Sequence, residues 1–417
     1  MKNTHVATLW GCASTLAFLT LSAPALASGF QLKEQSAEGL GNAFAGSTAK
    51  AQDLSTIFYN PAGMTRLSGS GAETVASLIV PGAEFSGSAV TPLGTPVAGG
   101  QGGDAGGPAV VPSFYAFYDA SPDLKVGLAV NTPWGLKTHY DDGWVGRYQA
   151  LKSDLKTINI APSAAFRVTP ALSLGAGIQI QYAKAHLTQS VFTGTPQDGH
   201  LEIDGDDWGV GLNLGALWEV SPATRVGLNW RTQVEHTLAG ETRLDLPVLG
   251  RVTQGGQADL TTPDVVSLGV YHDINDQWAV MADVSWTRWS AFEELRVRQD
   301  AGPDLVTPEN WDNTMFYSAG VTYRPTGQWS LQGGIAYDTT PIANESLRTP
   351  RIPDADRLWL STGVGYQWSD ALRANLAYTH IFVDSPSISH GSAATGRITG
   401  TYDNRVDIVA ASLSLTF

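Results

Sequence analysis

Apolar and polar residues alternate along most of the chain, so that every second side chain points to the same face. Between residues 171 and 182, one face carries the apolar residues Leu172, Leu174, Ala176, Ile178, Ile180 and Tyr182. The other face carries the small or polar residues Ser173, Gly175, Gly177, Gln179 and Gln181. A period of two predicts β-strands with one apolar face, and the pattern recurs around Trp230 and Trp368.

Short and long connections divide these predicted strands in a regular order. The short turns are Asp119–Asp123, Thr169-Pro170, Val220–Pro222, Asp273–Asp276, Arg324–Gly327 and Ser369-Asp370. The long, glycine- and proline-rich segments are 81–110, 132–154, 188–200, 239–256, 288–311, 339–356 and 383–403. Tight turns at one rim and large loops at the other are typical of Gram-negative outer-membrane barrels. The sequence therefore predicts an all-β fold, a closed antiparallel transmembrane barrel of about 14 strands.

The spacing of tryptophans supports a membrane location. Trp208 and Trp218 share the apolar face of one predicted strand. At ~3.3 Å per residue and ~40° of strand tilt they lie ~25 Å apart along the membrane normal, the height of an apolar band between aromatic girdles. The last strand ends in Phe417. This ending resembles the signal that the outer-membrane barrel assembly machinery reads, which makes that machinery an expected partner.

The first 27 residues have the features of a signal peptide. Lys2 precedes an apolar stretch, and Ala25-Leu26-Ala27 provides a small-x-small cleavage site between Ala27 and Ser28. An uncleaved membrane anchor is the alternative. Cleavage removes Cys12, the only cysteine, and changes the formal net charge from −14 to −15. We therefore expect no disulfide and no nucleic-acid partner.

Residues 28–66 break the alternation and precede the predicted barrel at 67–417. The segment combines the small, flexible stretch Gly39–Gly46 with apolar side chains, which disfavours a free tail in the periplasm. A barrel of about 14 strands also has a lumen wide enough to need filling. The sequence therefore predicts an N-terminal hatch that plugs the lumen. Its ligand-pocket and hatch candidates are Phe30, Leu32, Phe44, Phe58, Asn60, Pro61 and Ala62.

Several motifs occur in the order of a known family. They are Ser28-Gly29-Phe30-Gln31-Leu32, Gly39-Leu40-Gly41, Asn60-Pro61-Ala62, Asp207–Gly211, Trp286–Ser290, Gly334–Asp338 and Ile352–Ser361. Together they resemble the outer-membrane long-chain fatty-acid transporter (FadL) family, which includes aromatic-hydrocarbon uptake relatives. The resemblance implies a monomeric 14-stranded barrel closed by a hatch. It also implies passive transport of hydrophobic compounds across the outer membrane.

A lateral exit from the barrel is predicted at the end of the third strand. Pro133 cannot donate a ladder hydrogen bond, and Gly135 tolerates unusual dihedral angles. In the family the third strand has an inward kink that opens a window, and Asn131 and Gly135 align with that kink. The alternative is that Pro133 merely begins an external loop.

Two further positions bear on the ligand. Asp338 and Arg357 have lumen-facing parity on neighbouring strands, which suggests either a polar pair holding the hatch or shaping the pocket, or a plain rim salt bridge. Where the family's fatty-acid carriers place cations, this chain has Gln189 and about Thr307, and its third external loop is short. A fatty acid and an uncharged hydrocarbon therefore both remain candidate substrates. The cation of a shifted site would come from Lys156, Lys184 or His186.

Other classes of protein lack support in the sequence. A lipid-active hydrolase needs a serine–histidine pair, and no serine motif surrounds the scattered histidines. Asp204, Asp206 and Asp207 lack the spacing of a dedicated calcium loop, so we expect no metal and no cofactor. A general porin or an adhesin is the remaining alternative, and the predicted hatch at 28–66 disfavours it. Outer-membrane lipid and lipopolysaccharide are expected surroundings.

Overall fold

The computed structural model describes residues 28–417, which form mainly β-strands. The strand segments are β1 (Gly71–Val90), β2 (Ala109–Asp119), β3 (Leu124–Asn131), β4 (Gly135–His139), β5 (Lys152–Thr169), β6 (Leu172–Val191), β7 (Gly199–Ser221), β8 (Thr224–Arg231), β9 (Val234–Leu246), β10 (Gly250–Thr262), β11 (Val265–Asp273), β12 (Trp278–Thr287), β13 (Glu294–Gln299), β14 (Leu305–Pro308), β15 (Thr314–Tyr323), β16 (Trp329–Asp338), β17 (Arg357–Ser369), β18 (Leu372–Val383), β19 (Ser387–Ser392) and β20 (Gly396–Thr416).

These twenty segments make fourteen antiparallel barrel strands, because six successive pairs continue each other. The pairs are β3 with β4, β8 with β9, β10 with β11, β12 with β13, β14 with β15, and β18 with β19. The first and last strands close the ring through a ladder from Gly71–Thr416 to Val90–Arg397. The predicted 14-stranded barrel is thereby confirmed. Between residues 28 and 417, no helix is long and apolar enough to cross a membrane.

The six short turns lie where the sequence predicts them, for example between β5 and β6 and between β17 and β18. The prediction of long loops is wrong in part, because much of the length of these segments forms paired strands. Residues 239–256 form most of a β9–β10 hairpin with a turn at 247–249. The alternation fades there because strands above the apolar band no longer have one face toward lipid. Strand pairing continues without it.

The barrel has the inverted polarity of a membrane protein. Trp208 and Trp218 lie on the outer surface and are 57% and 54% exposed. Gln179 and Gln181 on the opposite face of β6 are buried. The apolar face of each strand therefore points outward and the polar face points to the lumen.

Residues 28–66 lie against the inner wall and contain three short helical turns. These are α1 (Ala37–Gly41), α2 (Thr56–Tyr59) and the 3-10 turn Pro61–Arg66. Ser36 begins α1 by accepting a hydrogen bond from the Gly39 N–H at 2.9 Å. Asn60 caps the 3-10 turn by accepting one from the Ala62 N–H at 3.1 Å.

Wall glycines make room for this segment. A Cβ atom on Gly175 would stand 2.3 Å from the Ala62 nitrogen, and one on Gly334 would stand 2.1 Å from the Asn42 carbonyl carbon. These glycines belong to β6 and β16, which lie apart in the ring. The backbone of the segment therefore touches the wall from more than one side.

Adjacent glycines in β16 provide a test of this packing. In Gly334→Ala the new methyl group meets the Asn42 backbone, so we expect residues 28–66 to shift at a cost of about 1–3 kcal/mol. In Gly333→Ala the nearest atom is Val321 Cγ1 at 3.8 Å, which leaves room. Proteolysis of residues 28–66 in the folded barrel should accelerate in Gly334→Ala and not in Gly333→Ala. Equal rates in the two variants would contradict the packing described above.

Candidate functional site

The third barrel strand is interrupted between β3 and β4. Both segments pair with β5, through Asn131–Asn159 on one side of the interruption and Gly135–Lys156 on the other. Three residues, 132–134, therefore oppose two, which is the geometry of a β-bulge. Pro133 is the middle residue of the bulge. The alternative that Pro133 begins an external loop is wrong, because the strand resumes at Gly135 and runs to His139.

The ladder toward β2 stops at the same level. Pairing between β2 and β3 runs from Asp119–Lys125 to Phe114–Val130. Residues Ala109–Ser113 of β2 continue upward, and within the described chain they pair with β1 and not with β4. The wall therefore lacks a hydrogen-bonded seam between the upper part of β2 and the bulge.

The N-terminal segment satisfies backbone groups of the bulge from inside the barrel. The Leu32 N–H donates to the Pro133 carbonyl at 2.8 Å, and the Gly135 N–H donates to the Phe30 carbonyl at 2.9 Å. The buried Gln35 amide donates to the Thr132 carbonyl at 2.7 Å. The barrel wall is thus tied to the lumen filling where it departs from its neighbour.

Gln35 also reaches the other side of the unpaired stretch. Its Oε1 accepts from the Ser113 hydroxyl on β2 at 2.7 Å. One side chain therefore bridges β2 and the bulge from within. Nothing in the local sequence pattern points to Gln35, and the prediction missed it.

Gly135 does not adopt an unusual backbone conformation, contrary to the prediction. Its φ is not in the left-handed region, so conformational freedom is not what the position requires. A Cβ atom there would stand 3.0 Å from Leu32 Cδ1, so the glycine makes room for a side chain of the N-terminal segment.

A buried aromatic cluster lies beside the bulge. The Phe30 ring centroid is 4.6 Å from Trp289, 5.8 Å from Phe292 and 5.9 Å from Trp311. Trp134, within the bulge, packs on Trp289 at 5.5 Å. All five rings are at most 6% exposed. Phe30 was a predicted pocket residue, whereas Trp134, Trp289, Phe292 and Trp311 were not. Trp134 lies between the predicted residues Pro133 and Gly135, and Trp289 belongs to the motif Trp286–Ser290.

The remaining predicted pocket residues lie in other places. Phe44 and Phe58 line a separate internal cavity deeper in the lumen. Asn60, Pro61 and Ala62 pack on the wall, where the Asn60 amide donates to the carbonyls of Thr48 at 2.7 Å and Ala216 at 3.0 Å. The seven predicted residues therefore do not form a single pocket.

Asp338 and Arg357 are both buried and face each other in the β16–β17 register. The ion pair of Arg357 is made with Asp354, however, whose side chain is likewise buried. Within residues 28–417, Asp338 has no cationic partner within 4 Å. The expected direct pair is thus replaced, because the connection between the two strands folds inward and brings Asp354 to Arg357. Asp354 also accepts from the Gly29 N–H at 3.1 Å, which holds the start of the N-terminal segment.

A cation does reach the position of Gln189. Arg351 Nη2 donates to Gln189 Oε1 at 2.7 Å, and its Nη1 donates to the Ser153 hydroxyl at 3.0 Å. The sequence could not reveal this, since the two residues are far apart in the chain. Thr307 lies in the short strand β14. Two of the alternative cations are paired at the wall, Lys156 with Asp154 at 3.3 Å and His186 with Asp204 at 2.8 Å, while Lys184 lies opposite Asp206 in the β6–β7 register.

His186 and Asp204 also lie close to Glu202, near enough for the three to share one ion. Arg243 already occupies this position, with Nη1 at 3.2 Å from Glu202 and 3.4 Å from Asp204. The cluster is accordingly a network of ion pairs.

At the rim with the short turns, the N-terminal segment is held by a buried charge network. Glu38 pairs with Lys50 at 2.6 Å and with Arg373 of β18 at 2.9 Å. Burial alone would raise the pKa of Glu38, but the charges of Arg373 and Lys50 outweigh it and lower the pKa to about 2. The network borders a polar cavity of about 750 Å³ that extends to the short turns.

The described chain begins at a buried residue, next to the predicted cleavage site, and ends at an exposed one. Ala27 lies outside the described residues, so the structure does not bear on cleavage. Ser28 is buried, and its hydroxyl donates to the Thr339 carbonyl at 3.0 Å. At the other end, Phe417 is 84% exposed, while its backbone N–H donates to the Ser70 carbonyl at 2.8 Å.

Comparisons with known proteins agree with this architecture. A family model described as outer membrane protein transport protein (OMPP1/FadL/TodX) matches residues 18–417. The chain is 28% identical to the long-chain fatty acid transport protein of Escherichia coli O6:H1, over 92% of this chain and 93% of that protein. A crystal structure of a Pseudomonas aeruginosa FadL homologue superposes with a TM-score of 0.88 at 26% identity, covering 93% of this chain and 100% of the other.

The fold is also shared with the Ralstonia pickettii toluene transporter TbuX, with a TM-score of 0.71 at 18% identity, over 94% of this chain and 99% of that one. The family model covers all of residues 28–417. The chain therefore belongs to the OMPP1/FadL/TodX family of outer membrane transport proteins.

Proposed function

We propose that this outer-membrane protein takes up hydrophobic compounds by passive diffusion and releases them sideways into the bilayer. The observation that carries the proposal is the unpaired stretch of wall between β2 and the bulge at 132–134. A buried aromatic cluster lies directly beside it. An apolar solute in the lumen therefore has an apolar surface next to a place where the wall is not sealed.

The energetics favour a sideways exit for such a solute. Passage through an aqueous pore exposes apolar surface to water at ~25 cal/mol per Å². Transfer from the aromatic cluster to lipid exchanges one apolar environment for another and avoids most of that cost. Asn131, Pro133 and Gly135 frame the proposed opening, and Phe30 and Leu32 border it from within.

Residues 28–66 serve as the hatch in this proposal, and residues 67–417 as the barrel. Support comes from the glycine contacts on the wall, from Gln35 across the opening, and from the Glu38 network at the opposite rim. The hatch blocks a straight aqueous path, which favours transport of apolar solutes over general porin conductance. We propose no catalytic role.

Two substrate classes fit the family. A relative is named for long-chain fatty acids, and a protein of the same fold is named for toluene. We propose that the substrate of this chain is one of these, a long-chain fatty acid or an aromatic hydrocarbon.

The outer surface of the barrel supports a proposal for the partners and lipids that surround the protein. The exposed Phe417 side chain at the end of β20 is accessible to the barrel assembly machinery. The apolar outer band suits a monomer surrounded by lipid and lipopolysaccharide. We also propose that the signal peptide is cleaved between Ala27 and Ser28.

Closing the opening should block uptake. In Pro133→Val, residue 133 gains an N–H and favours extended strand, so a ladder to β2 becomes possible. Gly135 is left unchanged because a side chain there would meet Leu32. We expect uptake of labelled oleate or toluene by cells to fall about tenfold or more, equivalent to ~1.4 kcal/mol in the barrier.

The matched control is Pro162→Val, in β5, where the ladder opposite Leu128 is intact. This variant should transport within about twofold of the unmodified protein, as expected of an exposed position. Unchanged uptake by a folded Pro133→Val protein would contradict lateral release.

Removing the Glu38 carboxylate should loosen the hatch. Glu38→Gln leaves Lys50 and Arg373 without their buried partner, a loss of about 3–5 kcal/mol. We expect ion conductance across planar bilayers to rise at pH 7. In Glu219→Gln, whose pair with Arg66 is part-exposed, we expect little change because such a pair contributes about 1 kcal/mol or less.

The same network predicts a pH dependence. The pKa of Glu38 is lowered from 4.5 to about 2 in the folded protein, so its stabilisation is complete above pH 4.5 and is lost as the pH falls toward 2. Conductance should therefore increase between pH 4.5 and 2, and the increase should be smaller in Glu38→Gln. Identical pH profiles for the two proteins would exclude Glu38 as the titrating group.

A further inference from the structure

An apolar groove lies on the lipid-facing surface of the barrel, on strands that take no part in the proposed opening. It runs across β11, β12, β15 and β16 and has a volume of about 720 Å³. Ala282 and Ala319 are the smallest outward-facing residues that line it, and they lie opposite each other in the ladder between β12 and β15. The volume lies within the ~300–1,000 Å³ typical of small-molecule sites.

Differences in size between neighbouring side chains create the groove. Val270 of β11 and Ile335 of β16 flank the two alanines in the same row of the ladder. Tyr317 and Tyr337, partners between β15 and β16, border the groove on the side of the long connections and are 49% and 43% exposed. The methyl groups of the alanines therefore lie below the level of the side chains around them.

The groove leads toward a cation at the level of the outer head groups. Ala282, Val284, Trp286 and Arg288 share the outward-facing parity of β12 and its continuation. Six residues at ~3.3 Å each and ~40° of tilt place Arg288 ~15 Å above Ala282, toward the extracellular rim. This distance is the depth of one leaflet, half of a hydrocarbon core ~30 Å thick. An acyl chain lying in the groove therefore has its head group beside Arg288.

Arg288 has hydrogen-bond donors to spare. Its side chain is 49% exposed. Within residues 28–417 its guanidinium donates only through Nη1, to Gln233 Oε1 and to Asp264 Oδ2, both at 3.5 Å. Asp264 itself accepts from Trp230 Nε1 at 2.9 Å and from the Gln233 N–H at 3.2 Å. Nε and Nη2 of Arg288 are thus available to a ligand.

Other charged groups on this side of the barrel are engaged. Asp356, next to the groove, accepts from the Tyr337 hydroxyl at 2.7 Å and from the Thr340 N–H at 2.8 Å. Arg298 donates to both carboxylate oxygens of Asp259, at 2.5 and 2.9 Å. Arg288 differs from Arg298 because its own carboxylate contact is long and involves one nitrogen.

The groove and the cation together specify the chemistry of the occupant. No water is present in the hydrocarbon region, so an acyl chain suits the groove. A phosphate suits Arg288, because arginine binds phosphate through parallel N–H donors and basic sites at the membrane surface bind lipid head groups. Since lipid surrounds the whole barrel, apolar contact alone favours no particular lipid. Selectivity therefore comes from the fit of the chain and from the phosphate.

We propose that the groove binds an acyl chain of lipopolysaccharide, the phosphorylated lipid of the outer leaflet, and that Arg288 holds a phosphate of its lipid A. The site lies on the outer face of β11–β16, whereas the opening lies between β2 and the bulge, so the bound lipid leaves the opening free. The inference rests on the outer-membrane location and does not depend on the proposed transport of solutes.

Native mass spectrometry of the protein in detergent tests the site, by titration with lipid A and with the same lipid lacking its phosphates. The unmodified protein should bind lipid A saturably and bind the dephosphorylated lipid about tenfold or more weakly, because charge-assisted hydrogen bonds are lost. Arg288→Gln should weaken lipid A binding by a similar factor and leave the dephosphorylated lipid within about twofold. Ala319→Phe fills the groove and should weaken the binding of both lipids.

Two control variants change the same residue types outside the groove. Arg298→Gln removes an exposed cation whose donors are occupied. Ala176→Phe enlarges an outward-facing alanine of β6. Both should bind lipid A within about twofold of the unmodified protein, as expected of exposed positions. Heat-modifiable migration in gels verifies that each barrel is folded.

Several results would overturn the inference. They are the absence of saturable lipid A binding, an unchanged lipid A affinity in folded Arg288→Gln or Ala319→Phe, and an equal loss of affinity in the two controls. A dimer of the unmodified protein that Ala319→Phe abolishes would assign the groove to a second copy of the chain, and it would also overturn the inference.

Discussion

Every backbone N–H and carbonyl group inside a membrane needs a hydrogen-bond partner, because no water is present to supply one. The closed ring of fourteen strands meets this requirement along most of its wall, with β1 and β20 completing the ladder. At the bulge between β3 and β4 the ladder partner is missing on the β2 side. Here the N-terminal segment supplies the hydrogen bonds from inside, through Phe30, Leu32 and Gln35. The interruption of the wall and the filling of the lumen are therefore one structural arrangement.

The same arrangement explains the charges in the lumen. Tying a segment of chain inside a barrel places ionisable groups away from water, where an unpaired charge is costly. Glu38 pairs with both Lys50 and Arg373 at one rim, and Asp354 pairs with Arg357 toward the other.

The sequence predicted what depends on local pattern. Alternation in β6 and the short turns placed the strands and one rim, whereas Pro133 left two alternatives open, an interrupted strand and the start of an external loop. The hatch at 28–66 was predicted from its apolar side chains and the width of the lumen, and the family resemblance implies it as well. What could not be predicted depends on contacts between distant residues. Arg351 reaches Gln189, and Asp354 displaces Asp338 as the partner of Arg357, because the connection 339–356 folds inward. Gly135 was expected to provide conformational freedom, whereas it makes room for Leu32. Register and loop packing decide such pairs, and neither leaves a periodic signal.

The most direct test of the account is uptake of labelled oleate and labelled toluene by cells with and without this protein. Passive transport through the lumen predicts that at least one ligand accumulates faster when the protein is present, without a requirement for metabolic energy. Oleate uptake would indicate a fatty-acid substrate, and uptake of toluene alone would indicate an uncharged substrate. If neither rate depends on the protein, the barrel remains as described and the transport function is contradicted.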